Sequence, residues 1–270
     1  MNTFNNLLNK TDDLLAKIFN NTFITRKKFI NLIDPDSCIL EIGPFDKPFV
    51  DKNIYRNVLY ADYLSTIELK ERAKKLSENG AAYFPQNVPE IEFILSQTTL
   101  ANINKKFDYI FSSHLIEHQT DLISHLRDVY NLLKPNGKYM IIIPDKRFIF
   151  DCLIAETQIS EIIERFYNKE TKHSLKNVIE HRLMTVFKPL MLLKFFKYKK
   201  NNFFSKNALD LVIKEYEDNN YVDVHSMQFT PNSFKLICEH LLHLRLIDFK
   251  IKNLYKTNFN SFEFFVVLEK

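Results

Sequence analysis

Glycine is nearly missing from this chain: there are three in 270 residues, where average usage is about 7%. Gly43, Gly80 and Gly137 stand far apart, which excludes a phosphate loop of the G-x-x-x-x-G-K-S/T type and any glycine linker. Cysteine is as scarce. Cys38, Cys152 and Cys238 are odd in number and form no C-x-x-C pair. This argues against a disulfide framework or a cysteine zinc site, and predicts reduced thiols and a cytoplasmic location.

Long apolar runs are absent too. No segment approaches the ~18 apolar residues that cross a bilayer, and Met1 to Phe19 lacks the basic-then-apolar order of a secretory leader. Neither secretion nor a membrane span is expected. Charge of one sign is also lacking: 37 Lys and Arg against 33 Asp and Glu leave a formal +4, too little to imply a nucleic-acid partner. Nothing in the pattern fixes an oligomeric state.

What is present is an ordinary globular composition, 46% hydrophobic and 26% charged, with a hydrophobic period that switches along the chain. Residues 1–36 read as N-terminal helices: Thr11-Asp12-Asp13 caps a start before Leu14, Leu15 and Ile18, and Phe29, Ile30 and Ile33 recur at helical spacing. Short apolar strands follow at 38–42, 57–61, 92–95, 107–111 and 139–143. Between them, Ser65-Thr66-Ile67-Glu68 is a capping box that opens a helix to about Leu76. Leu122, Leu126, Val129, Leu132 and Leu133 share one face of another helix, which ends in the turn Lys134-Pro135-Asn136-Gly137.

This alternation predicts an α/β fold with a doubly wound, Rossmann-like and mostly parallel sheet. A helix over 233–244 and strands at 247–254 and 262–268 add a C-terminal antiparallel hairpin, which brings the sheet to seven strands. The predicted core is 37–145 with 231–270. Residues 146–230 are read as a helical insert over the carboxyl ends of the strands, where open α/β sheets bind ligands.

The first strand ends in Glu41-Ile42-Gly43, and Asp62 closes the second about 20 residues later, the spacing of a nucleoside site in which the acid takes ribose hydroxyls. Dinucleotide enzymes press bare backbone against a pyrophosphate through G-x-G-x-x-G; here Gly43 is followed by Pro44, Phe45, Asp46, Lys47 and Pro48. S-adenosylmethionine carries no phosphate. Its sulfonium, amino and carboxylate groups tolerate a stiffer loop beside an acid such as Glu41.

Five motifs in order carry a family resemblance: Ile39-Leu40-Glu41-Ile42-Gly43-Pro44, Tyr60-Ala61-Asp62-Tyr63-Leu64-Ser65, Phe107-Asp108-Tyr109-Ile110 with Ser113-His114-Leu115-Ile116-Glu117-His118, Leu132-Leu133-Lys134-Pro135-Asn136-Gly137, and Ile143-Pro144-Asp145-Lys146-Arg147-Phe148. Together they resemble the class I S-adenosylmethionine-dependent methyltransferases, and more narrowly a bacterial group associated with surface-glycan (capsule or O-antigen) biosynthesis. The resemblance runs from about Cys38 to Lys270 and includes Tyr221-Val222-Asp223-Val224-His225 and Phe229-Thr230-Pro231-Asn232-Ser233-Phe234. It implies an O-methylating enzyme whose partner is a small molecule: a sugar, nucleotide-sugar or phosphorylated metabolite. The implied cofactor contacts are Glu41, Gly43, Pro44, Asp62, Tyr63, Leu64, Ser96, Gln97, Ser113 and His114. Two departures stand out: the G-x-G loop keeps only Gly43, and Ser96-Gln97 replaces the acid that holds the adenine amine.

His114, Glu117 and His118 fall at i, i+3 and i+4, one face of a helical turn. The letters H-x-x-E-H also spell an inverted zinc peptidase, but here they follow an apolar strand directly instead of lying on a long helix. Two readings stand. The turn walls the cofactor pocket, or, as in the small-RNA 3′-terminal 2′-O-methyltransferases that its E-x-x-E-H-like pattern resembles, it holds a divalent metal (Mg or Mn) through His114, Glu117, His118 and the distal His225. Such a metal chelates a vicinal diol and lowers the pKa of the attacking hydroxyl.

Methyl transfer from a sulfonium is an in-line displacement, so the enzyme must align the acceptor and remove its proton. The candidate bases are His225, His118, His181 and Asp145. Lys146, Arg147, Asp151 and Arg182 are candidate acceptor contacts, the cations suiting a phosphate or carboxylate. The basic, aromatic stretch 187–200 reads as a lid with snorkelling lysines. The alternatives are a nicotinamide-dependent sugar-modifying enzyme, opposed by the missing glycines and by the lack of Tyr-x-x-x-Lys after strand four, and a non-catalytic cofactor-binding module.

Overall fold

A computed structural model of the chain describes residues 23–186, 205–219, 221–259 and 261–270. The helix predicted before residue 23 and the lid predicted at 187–200 lie outside them. The elements are α1 (Arg26–Ile30), β1 (Cys38–Ile42), β2 (Asn57–Asp62), α2 (Thr66–Glu78), β3 (Phe93–Ile94), β4 (Phe107–Ser113), α3 (Leu122–Leu132), β5 (Leu133–Pro144), α4 (Ile159–Asn168), α5 (Leu175–Leu183), α6 (Lys206–Asp218), α7 (Pro231–His243), β6 (Lys250–Tyr255) and β7 (Glu263–Glu269).

The seven strands form one sheet in the order β3-β2-β1-β4-β5-β7-β6. The first five are mutually parallel, and β7 pairs antiparallel with both β5 and β6. Six strands therefore point one way, with β7 alone reversed. The order turns back between β1 and β4, which opens a crevice at their carboxyl ends.

Alternating side chains sort to the two faces, as a strand's period of two requires. Leu40, Ile42, Ile110, Ile141 and Ile143 pack with Leu126 and Val129 of α3 and Phe234 of α7. On the other face Ile39, Val58, Phe111, Met140 and Ile142 pack with Phe29 of α1 and with Leu69 and Ala73 of α2. Helices thus cover both faces of the sheet, and α5 and α6 share a smaller core of Val178, Leu183 and Val212 with Val222 and Val224.

The predicted turn at 134–137 lies inside a strand. Phe107 pairs with Leu133 and Tyr109 with Lys138, so the residues between bulge out of β5. Asn136, with φ of 61°, takes the left-handed conformation there, and a Cβ on Gly137 would lie 2.8 Å from the Lys134 carbonyl oxygen. A bulge absorbs the turn residues without ending the pairing. Strand β3 is only two residues long, and β6 begins at Lys250 because Ile247 and Phe249 turn into the core first.

Past β5 the chain leaves the sheet at Asp145 and returns at Phe229, and these two residues form an isolated parallel bridge. Between them run α4, α5 and α6. Among the described residues no helix is long and apolar enough to cross a membrane, and the three cysteines are free.

Candidate active site

The end of β1 shapes the crevice. Gly43 adopts φ of 74° and donates its N–H to the Ala61 carbonyl at 2.8 Å; this left-handed turn suits glycine. Glu41 lies under the loop, not in the crevice: its two carboxylate oxygens accept the N–H groups of Phe49 and Val50, each at 2.9 Å. Burial pushes its carboxyl up to about 7 against those two bonds. Its role is to fold the loop back, which places Pro44 inside and leaves Gly43 half-buried.

Asp62 ends β2 and accepts the Leu64 N–H at 3.3 Å. Burial raises its pKa, opposed by N–H groups of Leu64, Tyr63 and Phe45 and by the charge of Arg72. The Ser96 N–H bonds the Tyr63 carbonyl at 3.2 Å, and the Gln97 N–H bonds that of Ile94 at 3.0 Å, with both side chains exposed. Tyr63 stacks on Tyr221, the ring centroids 6.4 Å apart. The structure thus gathers Gly43, Asp62, Tyr63, Leu64, Ser96 and Gln97 around the ends of β1, β2 and β3, with Ser113 and His114 at the end of β4.

Beside this crevice the 3-10 turn Ile116–His118 carries the most unusual group in the molecule. Glu117 is 1% exposed, yet neither of its carboxylate oxygens has a hydrogen-bond partner. A buried carboxylate without partners is costly unless a cation or a proton meets it. What faces it is histidine. His225 Nε2 lies 4.0 Å from Glu117 Oε1, and one ligating atom from each of Glu117, His118 and His225 lies within 4.8 Å of the others.

Each ring is held from behind. His118 Nδ1 is 2.8 Å from Asp223 Oδ1, and the other oxygen of Asp223 accepts from Arg72 at 3.0 Å. His225 Nδ1 is 3.1 Å from Asp151 Oδ2. Burial pulls the His118 pKa down, but the bond to Asp223 and the charges of Glu117 and Asp223 raise it overall; the same bond to His118 lowers Asp223. Ser226 and Met227 donate their N–H groups to the Glu117 carbonyl at 2.8 and 3.1 Å, and buried Arg165 of α4 grips the Ser226 carbonyl at 3.0 Å. The segment bearing His225 is therefore fixed to the turn bearing Glu117.

His114 also faces Glu117, its Nδ1 3.7 Å from Oε1, but it is not one of the three side chains whose ligating atoms all lie within 4.8 Å of one another. Its φ is 51°, its Nε2 lies 2.5 Å from Glu263 Oε1, and Arg26 of α1 grips the same carboxylate. Burial lowers the His114 pKa.

The remaining predicted residues are already engaged. Asp145 is fully buried, and its two oxygens accept the Arg147 N–H and Nε, the Arg147 guanidinium at 2.5 Å and the Thr257 hydroxyl at 2.5 Å. It is a clamp between β5 and the β6–β7 connection, with no lone pair left for a substrate proton. His181 Nδ1 accepts the His225 N–H at 3.1 Å, so its own proton sits on Nε2; burial and the charges of His225 and Arg182 push its pKa down to about 3. Lys146 Nζ bonds the Cys152 carbonyl at 3.0 Å. Arg182 pairs with Glu215 of α6 at 3.0 and 2.8 Å, and Asp151 faces His225 instead of an open cavity.

Sequence reasoning missed Asp223, Arg72 and Glu263 as members of the site. Only Asp223 carried a local signal, two positions before His225 in the same extended segment.

A reversing strand order, a left-handed glycine after β1 and an acid closing β2 define a doubly wound α/β protein with a crevice at the carboxyl ends of β1 and β4. Residues 15–216 match a family described as a methyltransferase domain. The chain belongs to this family and is an S-adenosylmethionine-dependent methyltransferase, which displaces the nicotinamide alternative. It is similar to solved structures of S-adenosylmethionine-dependent methyltransferases from Clostridium acetobutylicum (12% identity, 99% of this chain and 98% of that one, TM-score 0.45) and Aquifex aeolicus (10% identity, 92% and 90%, TM-score 0.44). A third, from Mesorhizobium loti, is 12% identical over 90% of this chain and 96% of that one, with a TM-score of 0.44. No curated protein matches the chain.

Proposed function

We propose that this methyltransferase transfers its methyl group to a hydroxyl of a small, sugar-derived acceptor in surface-glycan biosynthesis. The observation that carries the reading is the buried, unpartnered Glu117 facing His118 and His225 beside the cofactor crevice. Hydroxyl oxygen is a poor nucleophile until its proton is removed, and this cluster collects the groups that remove it. Amines and thiols need less help.

In this reading the Gly43 loop and Pro44 admit the cofactor, Asp62 holds its ribose hydroxyls, and Tyr63, Leu64, Ser96 and Gln97 flank its adenine. Ser113 and His114 line the methionine end. The orphaned carboxylate and two imidazoles fit a divalent cation, so Glu117, His118 and His225 would hold it. Bound there, a cation would lower the pKa of the acceptor hydroxyl. With the cation held, His225 Nε2 is a ligand and the acidified hydroxyl would lose its proton to water; in the metal-free reading His225, backed by Asp151, accepts that proton, and in both His181 donates from Nε2 to the acceptor.

Among the described residues the cations near the cluster are already paired: Lys146 with Cys152, Arg147 with Asp145 and Arg182 with Glu215. This favours a neutral diol over a phosphorylated metabolite. The test is to incubate the chain with S-adenosylmethionine and a panel of sugars, nucleotide-sugars and sugar phosphates, with and without Mn2+, and to read the gain of one CH2 by mass spectrometry. Methylation confined to amines, or to acceptors without hydroxyls, overturns the proposal.

A further inference from the structure

We infer that Tyr221, supplied by the insert, closes over the adenine of the cofactor opposite Tyr63, and that the filled crevice thereby fixes the strap that carries His225. This rests on the placement of the base beside Tyr63 given above. It adds a contact from the far side of the crevice and a link between the two halves of the site.

Alternate side chains of residues 221–225 point opposite ways, as in a strand. Val222 and Val224 are buried with Val178 and Leu183 of α5 and Val212 of α6. Tyr221, Asp223 and His225 instead meet partners across the crevice. Tyr221 stacks on Tyr63 at the end of β2, Asp223 accepts from Arg72 of α2 at 3.0 Å and lies 2.8 Å from His118, and His225 faces Glu117 after β4. The Arg72 guanidinium lies in turn 5.6 Å from the centre of the Phe45 ring in the Gly43 loop. These contacts pass from β2, by way of the loop after β1, to the turn after β4. Five residues thus join the cofactor side of the crevice to the acceptor side.

The outer end of the strap holds a ring open to a ligand. His173, 2% exposed, lies 3.2 Å through Nε2 from the Tyr221 hydroxyl and fixes the phenol at its tip. The ring itself is left accessible: Tyr221 is 42% exposed and Tyr63 62%, although they stack. Their centroids are 6.4 Å apart with the planes 23° from parallel, the loose end of the about 4.5 to 7 Å over which aromatic pairs meet. A purine between them needs about 7 Å, twice the carbon contact distance of about 3.5 Å. A small outward shift admits it. Both faces of the base are then covered, while its edge meets only the neutral, exposed Ser96 and Gln97; stacking reads a face and not an edge.

Ordering Tyr221 on the base orders Asp223 and His225 with it, because the three share one short segment. The acceptor then meets a His225 already in place, and less ordering is left for acceptor binding to do.

The full-length chain is titrated with S-adenosylhomocysteine by calorimetry, and hydrogen exchange is followed by mass spectrometry with and without that ligand. Tyr63→Ala and Tyr221→Ala should each weaken binding by about 5- to 150-fold, the range of one stacked base. Tyr221→Phe keeps the ring and should stay within about threefold of the parent. Saturating ligand should slow exchange across 221–225 in the parent and not in Tyr221→Ala. Parent-like affinity in Tyr63→Ala overturns the placement of the base itself. Weakening in Tyr63→Ala with parent-like affinity in Tyr221→Ala, or an equal loss in Tyr221→Phe and Tyr221→Ala, overturns only the contact inferred here. Exchange across 221–225 that the ligand leaves unchanged in the parent overturns the link to His225.

Discussion

The backbone N–H of His225 donates to Nδ1 of His181 at 3.1 Å, and with the Asp151 carboxylate on the His225 ring it leaves two neighbouring histidines in opposite states. His181 is left with a proton to give. His225, its own Nδ1 facing Asp151, is left with a lone pair to receive one.

His225→Ala is therefore expected to lower kcat by about 10²- to 10⁴-fold while the affinity for S-adenosylhomocysteine stays within a factor of two or so. His181→Ala should raise KM more than it lowers kcat. Steady-state kinetics with calorimetry separates the two; equal kcat losses would remove the division of roles.

Asp62→Ala should weaken S-adenosylhomocysteine binding by about 1 to 3 kcal/mol, the cost of losing hydrogen bonds to a charged acceptor. Glu41→Ala should instead lower the melting midpoint first, because the two N–H groups that it satisfies lie in the loop and not on a ligand. If Asp62→Ala binds as the parent does, the ribose assignment is lost.

Asp145→Asn should cost about 1 to 3 kcal/mol of folding stability, since Arg147 and Thr257 both depend on its carboxylate. Denaturant unfolding reads this. A variant as stable as the parent but catalytically dead would return Asp145 to the list of bases.

Burial pushes the pKa of His125 and His173 down to about 4, from an ordinary 6.5. The unfolded chain therefore takes up protons first, and stability should fall as pH drops from about 6.5 towards 4, by up to about 1.4 kcal/mol per pH unit for each ring. A denaturation midpoint unchanged between about pH 7 and pH 4.5 counts against this.

Much of the fold was legible because its signals are local. Ser65 and Glu68 form the capping box that their spacing announces, and the strands that alternate with α2 and α3 appear where their apolar runs lie. Asp62 and Gly43 were readable for the same reason: each sits at a strand end. The misplaced turn at 134–137 shows the limit, because turn residues look alike whether a strand starts after them or bulges through them.

The site was less legible wherever a side chain's partner is distant in sequence. Arg182 meets Glu215, Asp145 meets Thr257 and His114 meets Glu263, so each looked free when read alone. A carboxylate's neighbours decide whether it is a base, a clamp or a ligand, and a linear motif does not contain them. The H-x-x-E-H pattern drew attention to His114, Glu117 and His118, but only folding shows His114 held between Glu117 and Glu263.

The bridge between Asp145 and Phe229 has an evolutionary consequence. A segment that departs and returns at one pinched point is open to exchange between related enzymes without redrawing the sheet beneath it. His225 and Asp223 lie inside that segment, whereas Glu117 and His118 lie outside it. On the proposed function, any substitute must therefore bring its own histidine to the cluster, so a change of acceptor and a change of chemistry are inherited together.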